Sequence, residues 1–139
     1  MARVRTHRML INDIDAAGIA YTGRLVTIAM EALELGLAQV GMDFAAMLRE
    51  QRFGVPLVHI EADFKRPFRH GELVDLDLWC DEIGARSYTC RIDLLPAGGT
   101  MVAASLRFTS AVIDLASFQA VAMPEAFRAA LQRLAPPVS

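Results

Sequence analysis

Polar positions recur at the period of an α-helix in the part of the chain that follows Thr22. They are spaced three, four and three residues apart, which places them on one helical face: Arg24, Thr27, Glu31 and Glu34. Almost every other position as far as Val40 is apolar. A helix with so narrow a polar stripe buries most of its circumference, so we expect other elements to wrap around it.

The pattern changes to an alternation of apolar and polar residues after Val55. Four strands are predicted, each with apolar side chains at every second position: Val58 to Phe64, Val74 to Cys80, Tyr88 to Leu94 and Met101 to about Ile113. Turn residues separate them at His70-Gly71, at Gly84 and at Pro96 to Gly99. Because these connections are short, we expect an antiparallel meander in which each strand has one buried face.

Weaker signals predict three further elements: a first strand from Arg3 to about Ile11, a short helix from Asp43 to Leu48, and a C-terminal helix from Pro124 to about Leu134. The 139 residues are enough for one domain with a sizeable core, covering residues 1–139. The order of elements predicts the α+β class, with an antiparallel sheet curled around the long central helix.

Composition and charge limit the classes of function. A net charge of -2 argues against non-specific binding to nucleic acid. The hydrophobic share of 54% is above the usual range and favours an oligomer that buries additional apolar surface. Cys80 and Cys90 lie at apolar alternating positions without the spacing of metal ligands, so we expect reduced core residues and no metal site. No signal peptide and no membrane-spanning run is recognisable, which makes the cytoplasm the expected location.

Two carboxylates, Asp13 and Asp15, precede the long helix, and Gly18 lies in a turn between them and the helix. In an extended segment both side chains lie on one face, where each raises the pKa of the other. A carboxylate beside the free N–H groups of a helix N-terminus is a candidate catalytic feature. The alternative is that Asp15 only caps a turn. We expect Asp13 to be structural.

Three segments occur in an informative order along the chain: Asp13-x-Asp15-x-Ala17-Gly18-Ile19-x-Tyr21, Phe64-x-Arg66-Pro67-x-Arg69-x-Gly71-Glu72-Leu73 and Gly84-x-Arg86-Ser87-Tyr88. Together they closely resemble the 4-hydroxybenzoyl-CoA thioesterase family, over a region from about Val4 to Leu131. The resemblance implies a hotdog fold, in which an antiparallel sheet wraps around a central helix and chains pair into dimers and often tetramers. It also implies hydrolysis of an acyl-CoA thioester without a metal or an organic cofactor.

The resemblance assigns roles to the residues around the start of the helix. Asp15 matches the catalytic aspartate, which either attacks the thioester carbonyl or activates a water; the sequence leaves both open. The amide of Thr22 matches the donor that stabilises the oxyanion, and Gly18 lets the backbone approach closely. Tyr21 matches an aromatic position at the acyl pocket, with a core tyrosine as the alternative. Thr22-Gly23 replaces larger residues of the family, which predicts a roomier pocket.

Arginines near strand ends are candidates for binding the phosphates of coenzyme A. These are Arg66, Arg69 and Arg86, with Ser87 as a further contact implied by the resemblance. The alternative for each arginine is a solvated turn residue. In the family each site lies at a dimer interface, so Asp15 of one chain is expected to work with Arg66 or Arg69 of the other.

Alternative readings concern both the catalytic residue and the activity. Glu31 on the central helix is the next candidate if Asp15 is dispensable, although its polar stripe favours a solvated or interface position. A non-catalytic module that binds acyl-CoA is the main alternative function. A hotdog dehydratase or hydratase would need a histidine and a carboxylate at the pocket, and no such loop motif is present. The sequence does not decide whether the acyl group of the substrate is aromatic, short-chain or branched.

Overall fold

The computed structural model describes residues 2–51 and 53–137 as an antiparallel sheet crossed on one face by a long helix. The strands are β1 (Ala2–Arg8), β2 (Phe53–Gly54), β3 (Leu57–Phe64), β4 (Leu73–Ile83), β5 (Ser87–Pro96), β6 (Ala104–Ala111) and β7 (Ile113–Asp114). The helices are α1 (Thr22–Gln39), α2 (Phe44–Ala46) and α3 (Glu125–Gln132). A 3-10 turn at Ile11–Asp13 and a π-helical turn at Met47–Gln51 complete the elements. The predicted α+β class and central helix are confirmed.

The strands of the main sheet lie in the order β1-β4-β5-β6-β3, and all neighbours are antiparallel. The meander is confirmed for β4, β5 and β6, but the prediction that β3 continues it is wrong, because β3 pairs with β6. Residues 65–72 make this crossing possible. Eight extended residues span about 27 Å, whereas three strand spacings measure only about 14 Å.

The central helix lies closest to the sheet at Gly36. A Cβ atom at this position would lie 2.5 Å from Leu78 Cδ2 and 2.9 Å from Val4 Cγ2. The opposite side of α1 is more exposed than the sequence predicts, since Met30 and Leu35 are 43% and 46% exposed. The stripe that is open to solvent in the single chain therefore contains apolar as well as polar residues.

Strand β3 departs most from the pattern read in the sequence. Its apolar side chains were expected to form a buried face, but Val58, Ile60 and Phe64 are 60%, 43% and 43% exposed. The strand lies at the edge of the sheet, and α1 packs mainly against β1, β4 and β5. In one chain, β3 thus presents apolar side chains and an unpaired backbone edge.

Several local predictions are confirmed and others need correction. Asp43 caps α2 by accepting a hydrogen bond from the amide of Ala45 at 2.8 Å. Cys80 and Cys90 are buried, free and directly opposed on β4 and β5, as expected of reduced core residues. The first strand, however, ends at Arg8 rather than near Ile11, because the chain then enters the 3-10 turn.

Within residues 2–51 and 53–137, no single helix is both long and apolar enough to cross a bilayer. Thr22–Gln39 and Phe44–Glu50 pass the same test only as a pair, and they meet at a bend of 76°.

The close approach at Gly36 predicts a marked loss of stability on adding one methyl group. Gly36→Ala gains up to about 1 kcal/mol in helix propensity, but overpacking between Leu78 and Val4 costs about 1–3 kcal/mol. We expect a net decrease of up to about 2 kcal/mol in the free energy of unfolding, measured by urea denaturation. Gly23→Ala is the matched control, since its Cβ meets only the Tyr21 ring at 3.8 Å. Equal stability of the two variants would contradict this packing.

Candidate active site

A small hairpin loop carries Asp15 in front of the central helix. Ile14 pairs with Ala20 across its base. Above the base, the amide of Asp15 donates to the carbonyl of Ile19 at 3.0 Å, and the amide of Gly18 donates to the carbonyl of Asp15 at 3.0 Å. Gly18 has a φ of +81°, a conformation that favours glycine. The predicted turn is confirmed, and its geometry explains the glycine.

Asp15 is exposed near the tip of this loop. Its Oδ1 accepts a hydrogen bond from the amide of Ala17 at 2.8 Å, which fixes the side chain by a local turn contact. Among the described residues, no other group donates to its carboxylate. The aspartate therefore does cap a turn, but it also presents a carboxylate oxygen to solvent.

The first turn of α1 presents unpaired amides beside this loop. Tyr21 is the N-cap residue, and its side chain makes no capping hydrogen bond. Within the described ranges, the backbone amides of Thr22 and Gly23 have no protein acceptor. These N–H groups carry the positive end of the dipole of an 18-residue helix. The start of α1 is thus suited to hold a carbonyl oxygen or a developing negative charge.

A cavity of about 200 Å³ adjoins the start of α1. Its lining comes from the loop, the helix and the segment after β3: Ile19, Ala20, Thr22, Leu25, Phe64, Lys65, Arg66 and Pro67. The amides of Lys65 and Arg66 both donate to the carbonyl of Ala103, which fixes this segment against the chain that leads into β6. The fold therefore brings Thr22 and Arg66 to the walls of one cavity.

Two of the predicted phosphate ligands lie close to the Asp15 loop. Arg66 donates to Glu72 at 2.8 Å, and its guanidinium lies 5.3 Å from the centre of the Phe68 ring. Arg69 forms a β-bridge with Ile19, the residue that also accepts a hydrogen bond from Asp15. Both arginines thus belong to the same end of the same chain as Asp15.

The other two predicted ligands lie at the opposite end of the sheet. Arg69 precedes β4, whereas Arg86 and Ser87 follow it. The 11 residues of β4 span about 36 Å. Arg86 is therefore far from Arg66 and Arg69 in the single chain, so the three candidate phosphate ligands do not meet there.

The structure gives the environments of Tyr21 and Glu31, for which the sequence left alternatives open. Tyr21 is 43% exposed, so the alternative of a core tyrosine is wrong. Glu31 forms ion pairs with Arg5 at 3.1 Å and with Arg24 at 3.7 Å. The polar stripe on α1 is therefore partly an internal charge network rather than only a solvated face.

Asp13 occupies a different environment from Asp15. It is 1% exposed, and its carboxylate accepts hydrogen bonds from Arg24 Nε at 2.6 Å, His7 Nε2 at 2.9 Å and the amide of Leu10 at 2.9 Å. Burial alone raises the pKa of Asp13, but these donors outweigh it and lower the pKa to about 2. The expectation that the two aspartates face each other and raise each other's pKa is wrong for Asp13. Its surroundings are those of a structural carboxylate.

Sequence reasoning missed a second and larger cavity of about 510 Å³. It lies between the exposed side of α1, the start of β3 and the sheet, and its lining residues are Thr27, Met30, Glu31, Leu33, Glu34, Phe44, Val55, Leu57, Tyr88 and Ser110. These residues come from five separate segments of the chain, so no local sequence pattern predicts the cavity. Its volume falls in the range of small-molecule sites.

In the part of the chain that the structure describes, no group of three or more histidine, cysteine, aspartate or glutamate side chains is arranged to hold a metal ion.

Comparison with known proteins identifies relatives of the whole fold. The family described as the thioesterase-like superfamily matches residues 9–131. A solved thioesterase-superfamily protein from Jannaschia sp. CCS1 is 26% identical, with a TM-score of 0.84 and 99% coverage of both chains. A 1,4-dihydroxy-2-naphthoyl-CoA thioesterase from Synechocystis is 23% identical, with a TM-score of 0.81 over 96% of this chain and 97% of that one.

Similarity to curated sequences covers a smaller region. A 1,4-dihydroxy-2-naphthoyl-CoA hydrolase from Picosynechococcus sp. is 35% identical over 88 residues, which are 63% of this chain and 60% of the relative. A protein of the same name from Rippkaea orientalis is 36% identical over 73 residues, 52% of this chain and 53% of the relative. The match thus spans little more than half the length of these relatives. They are named for a dihydroxynaphthoyl rather than a 4-hydroxybenzoyl substrate.

The lowered pKa of Asp13 predicts an acid-dependent contribution to stability. Because the folded pKa of about 2 is below the ordinary value of 3.8, the contribution is complete above about pH 4 and is lost as the pH falls towards 2. Asp13→Asn should lower the free energy of unfolding by about 2 kcal/mol more at pH 6 than near pH 2. Urea unfolding at several pH values tests this. A difference between the two proteins that stays constant with pH would contradict it.

Proposed function

Because the chain belongs to the thioesterase-like superfamily, we propose that it hydrolyses acyl-CoA thioesters to a free acid and coenzyme A. The observation that carries this proposal is the pairing of an exposed carboxylate with unpaired helix amides. Asp15 is exposed near the tip of its loop, and the unpaired amides of Thr22 and Gly23 begin the helix into which this loop leads. These two kinds of group supply what thioester hydrolysis needs, an attacking oxygen or base and a site for the oxyanion.

The proposed reaction uses few titratable groups. The thioester carbonyl oxygen is held by the amide of Thr22. Asp15 either activates a water that attacks the carbonyl carbon, or attacks it directly to give a mixed anhydride, which water then hydrolyses to the free acid and the regenerated carboxylate. The departing thiolate has a pKa of roughly 8.5 if it resembles that of cysteine, so a strong general acid is not required. An oxyanion donor of this type lowers the barrier by about 3 kcal/mol in other hydrolases.

For the substrate we propose an aromatic acyl group with hydroxyl substituents. The named relatives from Picosynechococcus and Rippkaea act on a dihydroxynaphthoyl thioester according to their names. The cavity of about 510 Å³ has the volume for a bicyclic ring, and its lining combines apolar side chains with Thr27, Glu34 and Ser110. Hydroxyl and carboxylate groups at an otherwise apolar surface suit the recognition of ring hydroxyls.

The active form in this proposal is a homodimer joined through β3. Antiparallel pairing of two β3 edges about a twofold axis places the Leu57 end of one strand beside the Phe64 end of the other. The larger cavity, Arg86 and Ser87 of one chain then approach the Asp15 loop of its partner. Val58, Ile60 and Phe64 become covered, which removes an exposed apolar edge. Arg66 and Arg69 would act beside Asp15 of their own chain.

Replacement of Asp15 should abolish most of the activity. We expect Asp15→Asn to lower kcat by at least about a hundredfold, because the amide is a poor nucleophile and base. The measurement is thiol release from hydroxybenzoyl, dihydroxynaphthoyl, benzoyl, phenylacetyl and straight-chain acyl-CoA esters. Glu31→Gln serves as the control for the alternative carboxylate. Full activity of Asp15→Asn would mean that another residue is the nucleophile or general base. If the wild-type protein binds acyl-CoA but does not hydrolyse it, the chain is a non-catalytic module.

A charge on the exposed face of β3 should separate the dimer. We expect Ile60→Asp to sediment as a monomer and to lose most activity, because the buried edge would then contain an unpaired carboxylate. His59→Asp places the same charge on the opposite face of the strand and should leave the dimer intact. Light scattering and kcat report the two properties. A monomeric Ile60→Asp with full activity would rule out a site shared between chains.

A further inference from the structure

Five charged or titratable side chains form a chain of contacts between β1 and the first half of α1. Arg5 contacts Glu31 at 3.1 Å, Glu31 contacts Arg24 at 3.7 Å, and Arg24 contacts Asp13 at 2.6 Å. His7 completes the chain with its contact to Asp13 at 2.9 Å. None of these contacts is used in the proposed reaction, although Asp13 lies only two residues from Asp15.

Removing one partner from this network lowers stability, but stability does not require that these positions be charged. Removing a carboxylate from water is costly, and apolar replacements of buried ion pairs are often as stable or more stable. What the network does provide is a fixed geometry, since each partner has a defined direction of hydrogen bonding. The role of the network therefore depends on which parts of the molecule these contacts hold together.

Asp13 connects both ends of the Asp15 loop to the central helix. Its carboxylate holds the amide of Leu10 before the loop, and its carbonyl accepts a hydrogen bond from the amide of Tyr21 after the loop at 3.4 Å. The same carboxylate holds Arg24, which projects from the first turn of α1. The loop that carries Asp15 and the helix that carries the Thr22 amide are thus joined through one side chain.

We propose that Asp13 and Arg24 are positioning residues that set the distance between the Asp15 carboxylate and the amide of Thr22. This inference rests on the proposed thioesterase function. Asp13 is enclosed and Arg24 is turned towards it, so we expect the pair to act on the reacting geometry rather than on binding of coenzyme A. A misplacement of about 1 Å at a reacting centre is enough to lower a rate on the order of a hundredfold.

The test compares kcat, KM and melting temperature for Asp13→Asn, Arg24→Gln and the double variant. We expect each single variant to lose roughly 10- to 100-fold in kcat, with KM changed by less than about twofold. The double variant should lose little more than either single one, because both break the same link. Arg3→Gln is the matched control: it breaks an arginine contact with Asp75 and Asp77 on the other face of the sheet.

Asp13→Glu separates a loss of activity from a failure to fold. It keeps the charge and the ion pair but lengthens the side chain by one methylene, so it should stay folded and still lose kcat. Unchanged kcat in this variant and in Arg24→Gln overturns the inference while leaving the thioesterase function intact. An equal loss of kcat in Arg3→Gln at the same melting temperature also overturns it, because the effect would then be global. An inert wild type overturns both proposals.

Discussion

The close packing of α1 against β1 and β4 determines where the helix begins, and the proposed chemistry depends on that point. Gly36 lets the second half of the helix approach Leu78 and Val4 to a distance that no side chain would allow. The first half is held by the polar contact between Arg24 and Asp13. Because both halves of the helix are fixed, the unpaired amides of its first turn keep a fixed orientation relative to the Asp15 loop.

In the proposed dimer, the exposed edge of β3 accounts for the division of the candidate residues between two ends of the sheet. Asp15, Arg66 and Arg69 lie at one end, while Arg86 and the larger cavity lie at the other. An antiparallel pair of edge strands reverses one chain relative to its partner, so opposite ends meet. The same pairing would cover apolar side chains that a stable monomer would not expose. The proposed twofold pairing would thus account for the apolar composition, the exposed strand and the separated arginines.

The sequence predicted features that depend on neighbours along the chain. The helical spacing of Arg24 and Glu31, the alternation in β4 and the turn at Gly18 are local signals, and all three correspond to observed elements. The pairing of β3 with β6 was not predicted, because strand order depends on contacts far apart in sequence. The buried side of α1 was overestimated for the related reason that an apolar residue on a helix does not reveal whether another element covers it, as the exposed Met30 and Leu35 show.

The two aspartates of the opening motif have different environments, although they are only two residues apart: Asp13 is enclosed, whereas Asp15 is exposed. Residues two apart in a strand share a face, but the 3-10 turn at Ile11–Asp13 ends at the first aspartate and breaks that relation. Asp13 therefore turns inward to three donors, while Asp15 reaches the loop tip with one local donor. A reacting carboxylate must be accessible to substrate and water, whereas a carboxylate that fixes a loop must be enclosed by its partners. Both requirements are met within three residues because the backbone changes conformation between them.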